Sequence, residues 1–159
     1  MDREAALGYI HKLMQKTLEQ GASDLFITAE APPSIKLNGE MVPLSQTPLS
    51  EMNSRMLVRA VMNDHQLRQF ESDMECNFSV SLPGLARFRV NTFTQRSCIG
   101  MVLRHIPSKV PTFRELSLPP VLRDIAMTKR GLVLVVGATG SGKSTSMAAM
   151  LDYRNQNSK

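Results

Sequence analysis

Near the end of the chain, Gly137-Ala138-Thr139-Gly140-Ser141-Gly142-Lys143-Ser144 satisfies the pattern G-x-x-x-x-G-K-[ST]. These residue types suit a dense anion such as a nucleoside triphosphate. The glycines let the backbone curl, so that amide N–H groups from Ala138 to Thr145 converge on phosphate oxygens. Lys143 supplies a compact positive charge for the β- and γ-phosphates. The Ser144 hydroxyl completes part of a Mg²⁺ shell, and Thr145 reaches the α-phosphate. The candidate binding residues are therefore Gly137, Ala138, Thr139, Gly140, Ser141, Gly142, Lys143, Ser144 and Thr145, with Ser144 as the metal ligand and ATP with Mg²⁺ as the cofactor. A dinucleotide fingerprint fails on the same residues, because Gly140-x-Gly142 runs on to Thr145 and no acidic residue lies about 20 positions further along.

Such a loop needs a strand before it and a helix after it. The apolar run Gly131-Leu132-Val133-Leu134-Val135-Val136 predicts a strand buried on both faces of a parallel sheet. Residues 143–156 predict the helix whose positive end faces the anion. Binding is not hydrolysis, which also needs an acidic residue on another strand to hold Mg²⁺ and a group to orient water. The only acidic residue after Lys143 is Asp152, too far along the helix to serve. A parallel sheet also needs further crossover units. The expectation is a whole N-terminal domain followed by the opening of a nucleotide-binding domain, inactive by itself.

The remaining elements follow from pattern. Ala6, Ile10, Leu13, Met14, Thr17 and Leu18 recur at helical spacing over 3–20, with Asp2 as N-cap and Gly21 as stop. Asp24–Thr28 reads as a strand. Asn38-Gly39 between 34–37 and 40–42 is a strong hairpin signal, since both turn positions need positive φ. Ser50 caps a helix over 51–62 whose stripe is Met52, Met56, Leu57, Ala60 and Val61, and Asp64 caps a second, ending near Phe70. Strands over 76–82, 85–96 and 98–106 alternate and turn tightly, which predicts an antiparallel meander. Pro107 and Pro111 bracket the domain boundary. Residues 113–128 read as helix in pieces, broken by Pro119-Pro120.

With 159 residues, 42% hydrophobic and 21% charged, the composition is that of an ordinary globular protein. It excludes wholesale disorder, collagen and coiled-coil rods, and no apolar run is long enough to span a bilayer. The N-terminus has no signal-peptide pattern, so a cytoplasmic location is the default. Cys76 and Cys98 have no metal-ligand spacing and read as free thiols; His11, His65 and His105 are scattered. Charge is uneven. Residues 1–75 hold seven Lys/Arg against eleven Asp/Glu, whereas 76–159 hold twelve against three. The basic half suits an anionic partner.

The strings Gly21-Ala22-Ser23-Asp24-Leu25, Pro32-Pro33, Asn38-Gly39, Gly84–Asn91 and Gly137–Thr145, in this order and spacing, resemble the type IV pilus retraction ATPases, the PilT/PilU family, over about residues 5–159. Asp24–Thr28, Glu75–Phe78 and Ala126–Gly131 are similar to its PilU branch in particular. The resemblance implies an α/β chain: a PAS-like α+β domain with an antiparallel sheet over 1–107, a linker over 108–112, and over 113–159 the start of a RecA-like P-loop domain. It implies a hexameric motor, homo- or hetero-hexameric with a PilT-like subunit, that powers pilus retraction and twitching motility. Such a motor works in the cytoplasm against an inner-membrane platform protein. The family's other catalytic elements lie beyond residue 159. It also uses N-terminal-domain arginines on the phosphates, so Arg89 and Arg104 join Lys143 as catalytic candidates, with Arg87 third. Two other readings stand beside the motor: an inactive nucleotide-binding or assembly module, and a P-loop nucleic-acid translocase. The second is disfavoured by 5% aromatics and the absence of tryptophan.

Overall fold

The computed structural model describes residues 2–107, 109–138 and 141–158. The chain divides into two compact units, Met1–Pro107 and Ser108–Lys159.

The first unit opens with α1 (Arg3–Glu19), and the Asp2 carboxylate accepts from the Ala5 N–H at 2.8 Å. Ala6, Ile10, Leu13, Met14 and Thr17 form its buried stripe. Gly21 follows at φ 66°, a conformation open to glycine at no steric cost. Then come β1 (Asp24–Ile27), β2 (Ser34–Leu37) and β3 (Glu40–Pro43). Asn38 and Gly39 between β2 and β3 both have positive φ, 51° and 92°, as the two-residue turn requires.

Helices α2 (Glu51–Ala60) and α3 (Asp64–Asp73) precede the meander β4 (Glu75–Leu82), β5 (Ala86–Gln95) and β6 (Cys98–Ile106). Ser50 caps α2, accepting from the Asn53 N–H at 3.2 Å. Two expectations about these helices need correcting. The buried residues of α2 are Ser54, Leu57, Val58 and Ala60, while Met52 is 65% exposed. Ser54 can be buried because its hydroxyl donates to the Ile99 carbonyl at 2.6 Å. The cap of α3 is Asn63, not Asp64. Asn63 Oδ1 accepts from the Gln66 N–H and Gln66 Oε1 from the Asn63 N–H, both at 2.9 Å, which satisfies two terminal donors at once.

All six strands join one antiparallel sheet in the order β3-β2-β1-β6-β5-β4. Alternation gives it two faces. Phe78, Val90, Leu103, Leu25, Ile35 and Val42 lie in register on one face, which packs on the helices; α1 lies on β1 and α2 on β6. The opposite face carries the row Ser79, Arg89, Arg104, Asp24, Lys36 and Met41.

The second unit contains α4 (Val121–Met127) and α5 (Lys143–Asn157). Arg154 joins them, donating through Nη1 to the carbonyls of Ala126 and Thr128, both at 2.9 Å, where the end of α4 leaves acceptors free. Phe113 meets Tyr153 edge-on, and the Arg123 guanidinium lies over both rings. Residues 113–117 form hydrogen-bonded turns, not helix: Ser117 has φ 51°, and the Leu118 N–H returns to the Phe113 carbonyl. The apolar run 132–136 forms no strand in the structure, and its side chains are exposed, up to 83% at Leu132 and 88% at Val136. A strand is defined by the neighbours that take its N–H and C=O groups, and the described residues of this unit offer none. The run flanks an open groove of about 420 Å³ lined also by Ile125, Met147, Met150 and Leu151.

Candidate nucleotide site

The glycine-rich loop leads directly into α5. Gly142 is the N-cap residue at φ 87°, a left-handed conformation that a side chain would strain. Among the described residues no side chain caps this helix. The first intrahelical bond runs from the Ser146 N–H to the Gly142 carbonyl at 2.8 Å, so the N–H groups of Lys143, Ser144 and Thr145 precede the helical ladder and have no intrahelical acceptor. The Ser144 and Thr145 side chains are exposed beside them. Thr139 and Gly140, both candidate binding residues, lie outside the described residues.

Lys143 folds back over the loop. Its Nζ donates to the carbonyls of Gly137 at 2.8 Å and Ala138 at 2.6 Å. A Cβ added at Gly137 would lie 2.7 Å from Ser141 Oγ and 3.8 Å from Lys143 Cδ, so the close approach of these three residues depends on that glycine. Ser141 is tied back by its N–H to the Ala138 carbonyl at 3.2 Å. First-turn amides with no intrahelical acceptor, a lysine amine on the loop and two hydroxyls suit a polyphosphate with its divalent cation. Asp152 lies two turns into α5, where its Oδ2 accepts from Gln156 Nε2.

In the first unit the register places Arg89 on β5 directly opposite Arg104 on β6, with Arg87 two residues away on the same exposed face. Like charges directly opposite repel. On its other flank Arg104 is opposite Asp24 on β1, and its Nε donates to Asp24 Oδ1 at 2.8 Å. Ser23 Oγ donates to the other carboxylate oxygen at 2.7 Å. Asp24, the first residue of the strand expected over 24–28, is therefore the anion that meets Arg104. Its only sequence signal is a carboxylate inside an apolar strand pattern, and the pairing of β1 with β6 gives it a partner. His105 sits partly buried, its ring 5.6 Å from that of Phe88.

Two shifted groups lie elsewhere. Burial, aided by the nearby Asp73 charge, pushes the Cys76 thiol up. The Thr112 N–H and hydroxyl, together with the Lys109 charge, hold the exposed Glu115 carboxyl below its ordinary value. Among the described residues no group of three or more His, Cys, Asp or Glu is placed to hold a metal, and no helix is long and apolar enough to cross a membrane.

The family model of the type II/IV secretion system proteins matches residues 1–159. The type IV pilus ATPase PilU of Pseudomonas aeruginosa is 55% identical over 147 residues, 92% of this chain and 38% of that protein. The retraction ATPase PilT of the same organism is 47% identical over 146 residues, 92% of this chain and 42% of its own length. A twitching motility protein of Neisseria gonorrhoeae is 40% identical over 147 residues, 92% of this chain and 39% of that protein. The chain thus spans about two-fifths of these relatives' length. Among solved structures, that of the pilus retraction motor PilT with bound ADP superposes with a TM-score of 0.80 at 37% identity, covering 93% of this chain and 43% of that one.

Proposed function

This chain belongs to the type II/IV secretion system protein family, and on that premise we propose that it is the nucleotide-binding front portion of a hexameric motor ATPase that powers type IV pilus retraction. The observation that carries the reading is Lys143 Nζ on the Gly137 and Ala138 carbonyls, with the start of α5 at Gly142 beside it. In this reading the amides from Ala138 to Thr145, including Thr139 and Gly140, cradle the phosphates of ATP. Lys143 leaves the loop carbonyls for the β- and γ-phosphates, and Ser144 ligates Mg²⁺. Bound ADP in the PilT structure supports the choice of ligand.

Arg89 and Arg104, with Arg87 beside them, offer guanidinium charge to the terminal phosphates, which makes domain movement sensitive to hydrolysis. Arg104 is not a free strand arginine, since Asp24 holds one of its nitrogens. The subunit assembles in a ring, with itself or with a PilT-like partner, in the cytoplasm against an inner-membrane platform protein. A PAS-like domain over 1–107 and the start of a RecA-like domain over 113–159, joined by a linker over 108–112, complete the proposal.

The 159 residues bind nucleotide without turning it over, because Asp152 is the only carboxylate after Lys143 and is engaged with Gln156. Titrating the chain with Mg-ADP and measuring steady-state ATP hydrolysis tests this. Binding with background turnover is expected. Absence of binding by the folded chain refutes the nucleotide reading, and Mg²⁺-dependent turnover refutes the claim of inactivity.

A further inference from the structure

We propose that Asp24 is a positioning residue that aims the Arg104 guanidinium, an inference that rests on the reading of Arg104 as a phosphate contact. Four observations on the exposed face of the sheet carry it. Asp24 and Arg104 are directly opposite on adjacent strands. The side-chain exposures are lopsided, 5% for Asp24 and 71% for Arg104, so a fixed anion grips a cation that stands mostly in solvent. The carboxylate has no freedom of its own: Oδ1 accepts from Arg104 Nε and Oδ2 from Ser23 Oγ. Finally, the grip uses Nε alone. Nη1 and Nη2 of Arg104 take no acceptor among the described residues, which leaves the end of the fork free for two oxygens of one phosphate.

The row explains why such a grip is needed. Lys36, Arg104 and Arg89 lie in register with a single carboxylate among them. Without Asp24, Arg104 has a like charge directly opposite and nothing to hold it, and a long side chain on an open face swings away. With Asp24 in place the attraction is one-sided and the guanidinium is held at a fixed place on the sheet before any ligand arrives. A surface ion pair of two flexible partners contributes little. Here one partner is buried and doubly bonded, so the result is orientation.

The test is a double-mutant cycle on ATP turnover by the full-length protein. Arg104→Ala alone should lower kcat/KM. Asp24→Asn in the native background should lower it by about tenfold, and in the Arg104→Ala background by less than about twofold, the non-additivity expected of groups that act as a unit. Equal losses in both backgrounds mean that Asp24 serves the fold alone and overturn the inference. If Arg104→Ala turns over normally, the phosphate reading of Arg104 itself fails, and that outcome is distinct. Arg104→Lys keeps the charge but has no fork, so its kcat/KM should fall with that of Arg104→Ala; native activity in it overturns the geometry even if Asp24→Asn does not fold. An independent readout is hydrogen exchange at the Arg104 Nε–H. It should be slow in the native chain and fast in Asp24→Asn, and unchanged exchange overturns the grip.

Discussion

Replacing Lys143 with alanine gives the most direct view of the loop. The ammonium makes two short bonds to loop carbonyls, at 2.8 Å to Gly137 and 2.6 Å to Ala138. Both are partly exposed to water and are exchanged for bonds to phosphate when a nucleotide binds. A hydrogen bond between charged groups contributes about 1.5–3 kcal/mol net. The carbonyl bonds given up reduce the gain, so the lower half of that range applies, near 2 kcal/mol, which corresponds to about 30-fold in affinity. Without ligand, Lys143→Ala should shift stability by less than about 1 kcal/mol, because alanine is the better helix former at the start of α5 and the lost bonds are solvated. The assay is calorimetric titration of the chain with Mg-ADP at one fixed ionic strength, since salt screens exposed charge, beside a thermal melt of each variant. A change of less than about threefold in Kd, with native melting, refutes the view that this amine is held in reserve for phosphate.

Three further outcomes follow from the same structure. Gly142→Val should cost about 1–2 kcal/mol of local strain at φ 87° and abolish measurable nucleotide binding, while far-UV circular dichroism keeps the first unit's signal. Phe88→Ala removes a fully buried ring from the sheet core and should lower the unfolding free energy in urea by about 3–5 kcal/mol. Glu115 titrates below its ordinary value in the folded chain. Its contribution to stability is therefore complete above the unfolded carboxylate's pKa and disappears as pH falls through the lowered one. Glu115→Gln should melt with a shallower acid limb than the native chain, and identical limbs would sink this assignment.

Much of this was legible in the sequence where local rules decide. Asp2 and Ser50 cap helices, Asn38-Gly39 turns a hairpin, and the alternation of Cys76, Phe78, Val80 and Leu82 marks a core face. The resemblance to pilus ATPases was readable from strings in both halves. What was not legible depends on partners distant in the chain. Ser54 is buried only because the Ile99 carbonyl lies over it, and Met52 is exposed because α2 turns Val58 inward instead. Asn63 outcompetes Asp64 as a cap through its reciprocal bond with Gln66, a choice between neighbours that spacing does not decide. The run 132–136 has the composition of a buried strand but no neighbour to pair with among the described residues. In the candidate site, residue types announced the loop, whereas the Asp24–Arg104 pair emerged only from the register of β1 on β6.

The central position of β1 has a consequence for the order in which the first unit assembles. The pairs β2–β3 and β4–β5–β6 are joined by tight turns and can zip locally. Only β1 welds these two patches, and its ion pair with β6 links residues 80 apart in the chain. Closing so long a loop must be compensated by contacts that form late, which slows folding relative to a purely local topology. During synthesis Leu25 and Ile27 leave the ribosome long before Met101 and Leu103 exist to cover them. The nascent N-terminus therefore carries a sticky half-sheet until the last strand of the meander arrives, and chaperone engagement should concentrate in that interval.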